Sequence, residues 1–484
     1  MNHSTDPAQN IAGRLKLFFT VFDSRFEDLT RTNWRTTLYR DFSAGLIVAM
    51  TAIPMAMGFA MAMGLRPEQG IIAGALACII GRTFGGSKYQ VYGPTAAFIP
   101  LIAALMHKYG EQNGGSFVQA HGFLVLVSIL AGVVLIILAL SGMGKYAKLV
   151  PNSIVVGFTV GIAVAIALTN FEDILGIETV ADTLGQDEEI KGGFLHNVVT
   201  AFSNLQYINI WSLAIGLGTL ILTRSLLKIS IFIPAPLIAI GVATLSTSTL
   251  LKDKGIILVR DIYGSIPNNF FVFTGPSLPD VTATVVLDIL YFVIAIVFVS
   301  GVESLLCSSM ADRLANNKGT PFNPDKEFWG QGLVQIFTPL VNGFPCTGAL
   351  ARTATSIKAG AVTPLAGYFK GVLKLILAFY VAPFLESVPM ACIGGILLWV
   401  ASNMIKVGEI KSVKKTGSFE FTMLVYTAVM VPLTDFLTGV LSALIIYYIM
   451  RRIFPKWAIA NASTDGHEQP SQLRQRARTP VDAV

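Results

Sequence analysis

Charged side chains are scarce in this sequence. Asp, Glu, Lys and Arg make up 13% of its 484 residues, whereas 53% of the residues are hydrophobic. A soluble protein carries roughly 25% charged residues, so this deficit argues against a chain of soluble domains. The composition instead predicts an all-α polytopic membrane protein.

Motifs for metal binding, disulfide bonding and nucleotide binding are also missing. The four cysteines lie in or beside apolar runs without the spacing of a disulfide framework or a metal site, and the five histidines form no cluster. No P-loop or GxGxxG-type motif stands out, which argues against ATP-driven pumping. The formal charge of +6 is dispersed over many loops, which argues against a nucleic-acid partner. We therefore expect neither an enzyme nor a bound metal or cofactor.

Long apolar runs recur along the whole chain, and they predict about fourteen membrane segments. A helix needs about 20 residues to cross a bilayer. The third segment (94–107) and the tenth (347–358) have only about 13 and 12 uninterrupted residues, so neither can cross as a helix alone. With the N-terminus in the cytoplasm, 26 loop Lys and Arg residues face the cytoplasm and 6 face outside. We expect both termini in the cytoplasm and a bacterial inner (plasma) membrane as the location.

Three polar stretches flank or divide the apolar part. Residues 1–41 are expected to be a cytoplasmic leader without a cleavable signal peptide, in which Leu15–Phe22 forms an amphipathic helix on the membrane. Residues 251–282 form the longest connection, which is predicted to be external and to contain short β-rich runs. Residues 454–484 are expected to be a short disordered cytoplasmic tail.

The two short segments occupy related places in the chain. Pro54 precedes Pro94 by 40 residues and Glu303 precedes Thr347 by 44, and each pair joins an interrupted long helix to a short segment. About seven segments in each half require opposite topologies, so the pattern predicts an inverted repeat. The transporter region then spans 42–453, with repeat one at about 42–250 and repeat two at about 283–453.

Glu303 is the most informative residue, because a carboxylate at bilayer depth costs a few kcal/mol and is a functional candidate. It follows Asp288 by 15 residues and precedes Arg313 by 10. These separations correspond to roughly 22 Å and 15 Å along a helix, which places Glu303 near the midplane. A lone carboxylate at that depth suits a proton carrier. Coordination of Na⁺, bracing of Arg352 and a structural hydrogen bond remain alternatives.

The starts of the short helices are candidate anion-binding points. A helix start offers unpaired N–H groups and a partial positive charge. Thr95 begins one short helix, and Thr347, Gly348 and Ala349 begin the other. Inverted repeats would bring these two half-helix starts together at mid-membrane. Ordinary N-capping by the threonines is the alternative.

Four further side chains complete the set of site candidates or border it. Arg352 lies about 7 Å into the tenth segment, where a guanidinium needs a partner. The substrate or Glu303 is the favoured partner, and snorkelling of the side chain to the cytoplasm is the alternative. Met55 and Phe59 lie one turn apart after Pro54, where an apolar pocket wall and core packing are equally favoured. Cys307 lies one turn after Glu303, where it either flanks the site or packs.

A nearby turn with Asp312, Arg313, Asp325 and Glu327 is expected to be solvated.

Several sequence blocks resemble the sulfate permease (SulP) family of anion transporters. The resemblance runs from about Asp41 to Arg452 and is carried by DFSAGLIVAMTAIPMAMGFAMAMGL, YGPTAAF, GVESLLCSSMADR and GQGLVQIFTPLVNGFPCTGALARTATSIKAGAVTPLAGYFKG. It implies seven plus seven inverted repeats, core and gate domains, a homodimer, and elevator-like movement of the core. It also implies that Glu303 is the acidic residue linked to cation coupling, and that Gly93, Pro94, Thr95 and the segment from Thr347 to Arg352 line the substrate site.

Two departures from the family pattern affect the expected function. Many members have Gln and then an aromatic residue where this chain has Met55 and Phe59, so a polar substrate contact is missing. Members usually carry a STAS domain after the membrane part, and this sequence ends too soon to contain one. In the family that this chain resembles, sodium-coupled bicarbonate members tend to have Asp at the acidic position and to lack the arginine. The resemblance therefore implies proton coupling or exchange for a chain that has both Glu303 and Arg352.

Together these observations predict a secondary active transporter of small inorganic anions, either of the sulfate type or for bicarbonate or chloride. The alternatives are an uncoupled anion channel and a dicarboxylate or nucleobase permease of the same fold.

Overall fold

The computed structural model describes residues 11–30, 32–110, 114–144, 150–177, 208–230, 232–267, 271–434 and 436–453, and this part of the chain is almost entirely helical. Within these ranges, eighteen α-helices follow one another: α1 (Ile11–Phe19), α2 (Trp34–Ala62), α3 (Pro67–Phe84), α4 (Ile99–Tyr109), α5 (Phe117–Leu140), α6 (Asn152–Thr169), α7 (Phe171–Leu175), α8 (Ile210–Ile229), α9 (Ala235–Thr249), α10 (Val259–Tyr263), α11 (Ala283–Leu314), α12 (Pro324–Leu340), α13 (Leu350–Lys358), α14 (Leu365–Glu386), α15 (Met390–Met404), α16 (Val407–Thr416), α17 (Ser418–Leu433) and α18 (Phe436–Ile453). The predicted tail 454–484 lies outside the described residues.

Apolar helices confirm the prediction of an all-α multi-pass membrane protein. Among the described residues, six helical stretches are long and apolar enough to cross a bilayer, and three shorter apolar helices accompany them. The count of fourteen segments stays a prediction. One detail of the prediction was wrong: α2 runs through Pro54 without a break, although an interruption was expected there. Neighbouring helices can stabilise a proline inside a membrane helix.

Both predicted short segments are short helices preceded by an extended piece of chain. Strand β1 (Tyr92–Gly93) leads through a 3₁₀ turn, Ala96–Phe98, into α4, which has 11 residues. Strand β2 (Thr347–Gly348) leads into α13, which has 9 residues. The two strands pair antiparallel, with Tyr92 opposite Gly348 and Gly93 opposite Thr347. This pairing brings the starts of the two short helices side by side.

The order of elements is alike in the two halves of the chain. A long helix, a second helix, a two-residue strand and a short helix follow one another from α2 to α4 and again from α11 to α13. The order agrees with the expected repeat, and the domain boundaries stay a prediction.

The helices pack in two groups. In one group α14 lies along α2 and α3, and α12 lies along α5 and α3, with α11 and α13 beside them. In the other, α17 lies along α6, and α8 lies along α15. Close approach in the first group depends on glycine: a Cβ atom on Gly132 of α5 would lie 2.6 Å from the carbonyl oxygen of Gly332 on α12. The two short strands belong to this first group.

The leader packs against other helices of the protein, whereas we expected an amphipathic helix that lies on the membrane. The predicted helix Leu15–Phe22 is observed as α1, which ends at Phe19. Phe18 is buried and stacks on Trp329 of α12 with ring centroids 5.3 Å apart. The guanidinium of Arg25 donates to the carbonyl oxygen of Arg82 at 3.0 Å. The leader therefore covers the ends of α3 and α12.

The connection 251–282 contains less β-structure than expected. Its described residues form the short helix α10 and one antiparallel bridge between Leu258 and Pro389. Val259 N–H donates to Val388 O at 2.9 Å, and Met390 N–H donates to Ile257 O at 3.0 Å. The bridge ties this connection to the start of α15.

Candidate functional site

Thr95 and Glu303 join the first short helix to α11. Thr95 stands at the N-cap of the 3₁₀ turn before α4, but its side chain makes no capping hydrogen bond. Its hydroxyl instead donates to Oε2 of Glu303 at 2.9 Å. Thr95 is buried, whereas Glu303 is half-buried. The alternative of ordinary capping therefore does not apply to Thr95, and the carboxylate is bonded directly to a helix start.

The start of α13 is held by hydrogen bonds to main-chain oxygens. The hydroxyl of Thr347 donates to Ser300 O at 3.2 Å, and Ala349 N–H donates to Val91 O at 2.8 Å. Gly348 admits no side chain, since a Cβ atom there would lie 2.5 Å from Cδ of Gln90. As in any helix, the first N–H groups of α13 have no acceptor within the helix. They follow directly after β2, which pairs with β1.

Arg352 is buried and only partly satisfied. Its Nη2 atom donates to Pro94 O, while its Nη1 atom has no hydrogen-bond partner among the described residues. Nη1 lies 3.0 Å from the position of a Cβ atom on Gly93. The described part of the chain shows no ion pair within 4.0 Å between Arg352 and Glu303. The Nη1 atom can therefore donate to a further acceptor.

The remaining candidates lie close by, in apolar surroundings. Met55 and Phe59 are buried in the same apolar core as Ala96 and Phe98. The thiol of Cys307 lies 3.3 Å from the hydroxyl of Thr353 on α13. The positions of Met55, Phe59 and Cys307 agree with both interpretations given above, which are a role in lining the site and a role in core packing.

Two buried lysines were not predicted as part of this site. Lys370 and Lys374 are one turn apart on α14, and both are at most 1% exposed. Nζ of Lys370 donates to Gly74 O at 3.0 Å and to Tyr92 O at 2.8 Å, and Nζ of Lys374 donates to Gly70 O at 3.1 Å. Their signal in the sequence was the spacing of four residues within the apolar run LAGYFKGVLKLILAFYV.

Glu327 is a third residue that the sequence analysis missed. We expected a solvated turn, but Glu327 is 0% exposed at the start of α12. Its carboxylate oxygens accept hydrogen bonds from two main-chain and three side-chain donors: Gly86 N–H, Ser87 N–H, Gln90, Tyr92 and Ser304. The solvated prediction was wrong for Glu327 because the loop after α3 covers the first turn of α12. The carboxylate positions the chain that leads into β1.

Replacing Glu327 with Ala should strongly destabilise the protein. The change would leave several buried donors without an acceptor, which costs about 3 kcal/mol or more. We expect the unfolding temperature in detergent to fall by several degrees. Glu409→Ala is the matched control, because Glu409 is exposed and, in the described part of the chain, its ion pair is with the exposed Lys406. Equal unfolding temperatures for both variants would contradict the structural role of Glu327.

Comparisons with known proteins agree with this architecture. The profile of the sulfate permease family matches residues 38–427. The putative sulfate transporter YvdB of Bacillus subtilis is 32% identical over 427 residues, which cover 88% of this chain and 76% of the relative. The bicarbonate transporter BicA of a Picosynechococcus strain is 28% identical over 370 residues, covering 75% of this chain and 61% of BicA.

Solved structures share the fold at lower sequence identity. The transmembrane domain of a cyanobacterial bicarbonate transporter BicA superposes with a TM-score of 0.69 at 22% identity, over 84% of this chain and 97% of that one. SLC26A9 superposes with a TM-score of 0.72 at 16% identity, over 88% of this chain and 67% of that one. At these identities the likeness concerns the fold alone.

Proposed function

The chain belongs to the sulfate permease family, and on that premise we propose that it is a secondary active transporter of small inorganic anions. It is a multi-pass membrane transport protein and not an enzyme. The proposed substrate site lies between the start of α4 and the start of α13, with Thr95, Thr347, Gly348, Ala349 and Arg352 around it.

One observation carries the proposal: a buried guanidinium, one nitrogen of which has no partner in the described part of the chain, lies beside two adjoining helix starts. Unpaired N–H groups and the partial positive charge of a helix start attract an anion. A guanidinium adds a full charge and further donors. In a dry site these groups gain more from an anion than they would in water. A neutral substrate such as a nucleobase would leave the charge of Arg352 without a counter-charge.

Glu303 is proposed to couple transport to protons. Its carboxylate is bonded to Thr95, so a change in its charge acts directly on the helix start that holds the anion. A negative carboxylate repels a bound anion, and a protonated one does not. Binding a proton and binding an anion therefore favour each other, which is the linkage that symport requires. Exchange of one anion for another at the same site is the alternative coupling mode.

The proposal includes the movement and assembly implied by the family. Helix α13 and both short strands belong to the first packing group, and α4 packs on α5 of that group. We propose that this group is the core. It would carry the anion across by an elevator-like displacement against the second group, the gate. A homodimer in the bacterial inner membrane with both termini in the cytoplasm is part of the same proposal.

Uptake into proteoliposomes tests the proposed function. Purified protein is reconstituted, and uptake of labelled sulfate, bicarbonate and chloride is measured with and without an inwardly directed pH gradient or a Na⁺ gradient. We expect uptake of at least one anion, accelerated by the pH gradient and unaffected by added uracil. Absence of anion uptake under every gradient would contradict the proposal. Passive electrogenic flux at channel-like rates would instead favour the uncoupled channel.

A further inference from the structure

The first short helix is bonded to α11 at both of its ends. At its start, the hydroxyl of Thr95 donates to the carboxylate of Glu303. At its other end, the hydroxyl of Tyr109 and the ammonium group of Lys108 donate to the carboxylate of Asp288, the ammonium group at 2.9 Å. We call this second contact, formed by Lys108, Tyr109 and Asp288, the far clasp. The function proposed above gives no role to it.

The two contacts have the same spacing along α4 and along α11. Thr95 and Tyr109 are 14 residues apart, and Asp288 and Glu303 are 15 residues apart in the opposite chain direction. At about 1.5 Å per residue, both separations correspond to roughly 20 Å. The two contacts therefore hold α4 antiparallel to α11 and fix its position along that helix.

Aromatic side chains shelter one part of the far clasp. The ring of Tyr109 lies 4.4 Å from that of the buried Phe123 on α5, measured between centroids. Phe123 contacts Phe292 edge-on at 6.5 Å, and Phe292 lies one turn after Asp288 on α11. The side chain of Asp288 is 16% exposed, whereas that of Lys108 is 47% exposed. The hydrogen bond from Tyr109 is therefore the sheltered part of the clasp, and the ion pair with Lys108 is its exposed part.

Helix α4 lies at the boundary between the two packing groups. It packs on α5 of the first group, and both α4 and the 3₁₀ turn before it also contact α6 of the second group. In an elevator-like displacement, α11 moves with the first group and α6 stays with the second. Contact with α6 would then hold α4 back. A lag of α4 behind α11 would pull Thr95 away from Glu303.

We propose that Asp288 is a positioning residue for proton coupling, because it anchors the far end of α4 to α11 and so keeps Thr95 on Glu303 while the first group moves past α6. The inference rests on the function proposed above. Asp288 lies roughly 20 Å along α11 from Glu303 and touches neither the anion nor the proton. Anion affinity therefore depends little on it. A loose clasp separates Glu303 from the helix start in part of the transport cycles, and in those cycles the anion crosses without its proton.

The test measures how far an anion accumulates in proteoliposomes under a fixed, inwardly directed proton gradient. The probes are labelled sulfate, bicarbonate and chloride, and the readout is the ratio of internal to external anion at steady state. Half-saturation of uptake, anion exchange at equal pH and the unfolding temperature in detergent are measured on the same preparations. A loss of coupling lowers the accumulation ratio alone, whereas damage to the fold or the site changes the other three values.

Five variants divide the far clasp into its parts. Asp288→Ala removes the acceptor of both donors. Tyr109→Phe removes the sheltered hydrogen bond and keeps the ring, whereas Lys108→Gln removes only the exposed ion pair. Asp288→Asn keeps an oxygen that accepts the hydroxyl of Tyr109. Glu409→Ala is the control, because Glu409 is an exposed carboxylate on α16.

We expect the accumulation ratio to fall several-fold in Asp288→Ala and in Tyr109→Phe. The reason is that a hydrogen bond to a charged group shifts the balance between a closed and an open clasp by on the order of tenfold. The double variant should lose no more than either single one, because both changes remove the same bond. Lys108→Gln, Asp288→Asn and Glu409→Ala should stay near the wild-type ratio, because an exposed ion pair contributes little.

An unchanged accumulation ratio in Asp288→Ala and Tyr109→Phe, with coupling intact in the wild-type protein, would overturn the inference alone. A fall that is matched by equal losses of exchange and anion affinity would also overturn it, because the clasp would then only support the fold. If Asp288→Ala does not fold, Tyr109→Phe decides, because it removes a single oxygen atom. Wild-type uptake that does not respond to the proton gradient would contradict the coupling role of Glu303, and the inference with it.

Discussion

Replacing Arg352 with Ala should weaken anion binding by on the order of a hundredfold, because truncating one partner of a buried charge pair costs about 2–5 kcal/mol. The guanidinium is 5% exposed, and one of its nitrogens has no hydrogen-bond partner within the described residues, so its charge is directed at the space beside the helix starts. Arg352→Lys keeps the charge but loses the planar donor pair. We expect an intermediate loss of about tenfold for it.

The measurement is the anion concentration that half-stabilises the protein in detergent, together with half-saturation of uptake. Lys358→Ala changes an exposed cation on the same helix and should leave both values unchanged. A structural role predicts a different result: since Arg352 also holds Pro94 O, the Ala variant would unfold at a lower temperature with unaltered affinity. That outcome would remove Arg352 from the binding site.

The short helices were predictable because their interruptions are visible in the chain. Gly and Pro at 93–94 and the breaker-rich residues before Thr347 limit the apolar runs to less than a full crossing. The observed helices α4 and α13 start a few residues later than predicted, at Ile99 and Leu350. Two-residue strands carry no periodicity, and their partners lie in different halves of the chain. The β1–β2 pairing therefore had no detectable signal.

The missed residues share one physical cause. Orientation rules treat charges near the ends of apolar runs as solvated, and they treat charges within such runs one at a time. Glu327 lies at the end of a run, but the loop after α3 covers it. Lys370 and Lys374 lie within a run, and their acceptors are carbonyl groups of another helix. Main-chain hydrogen-bond partners cannot be recognised in a sequence. The burial of Glu327, Lys370 and Lys374 is therefore visible only in the three-dimensional structure.

Replacing Glu303 with Gln should abolish the response of transport to a pH gradient while preserving anion binding within a few-fold. Gln keeps an oxygen that accepts the Thr95 hydroxyl, so the helix start keeps its place. It cannot take up or release a proton, so the coupling between proton and anion is lost. We expect uptake by the variant to stop at equilibration, whereas wild-type protein accumulates anion above the external concentration.

The decisive comparison is uptake with and without an inwardly directed proton gradient, alongside anion exchange at equal pH on both sides. Exchange should survive in Glu303→Gln, because it needs only an anion in the site during each crossing. Glu409→Gln is a control for loss of a carboxylate, since Glu409 is exposed and remote in the chain from both short helices. Acceleration by the proton gradient in Glu303→Gln would remove Glu303 as the proton carrier. A different result would assign Glu303 as a Na⁺ ligand: the wild-type protein takes up anion with a Na⁺ gradient alone, and Glu303→Gln does not. The reason is that the same carboxylate charge that receives a proton can hold a small cation beside Thr95.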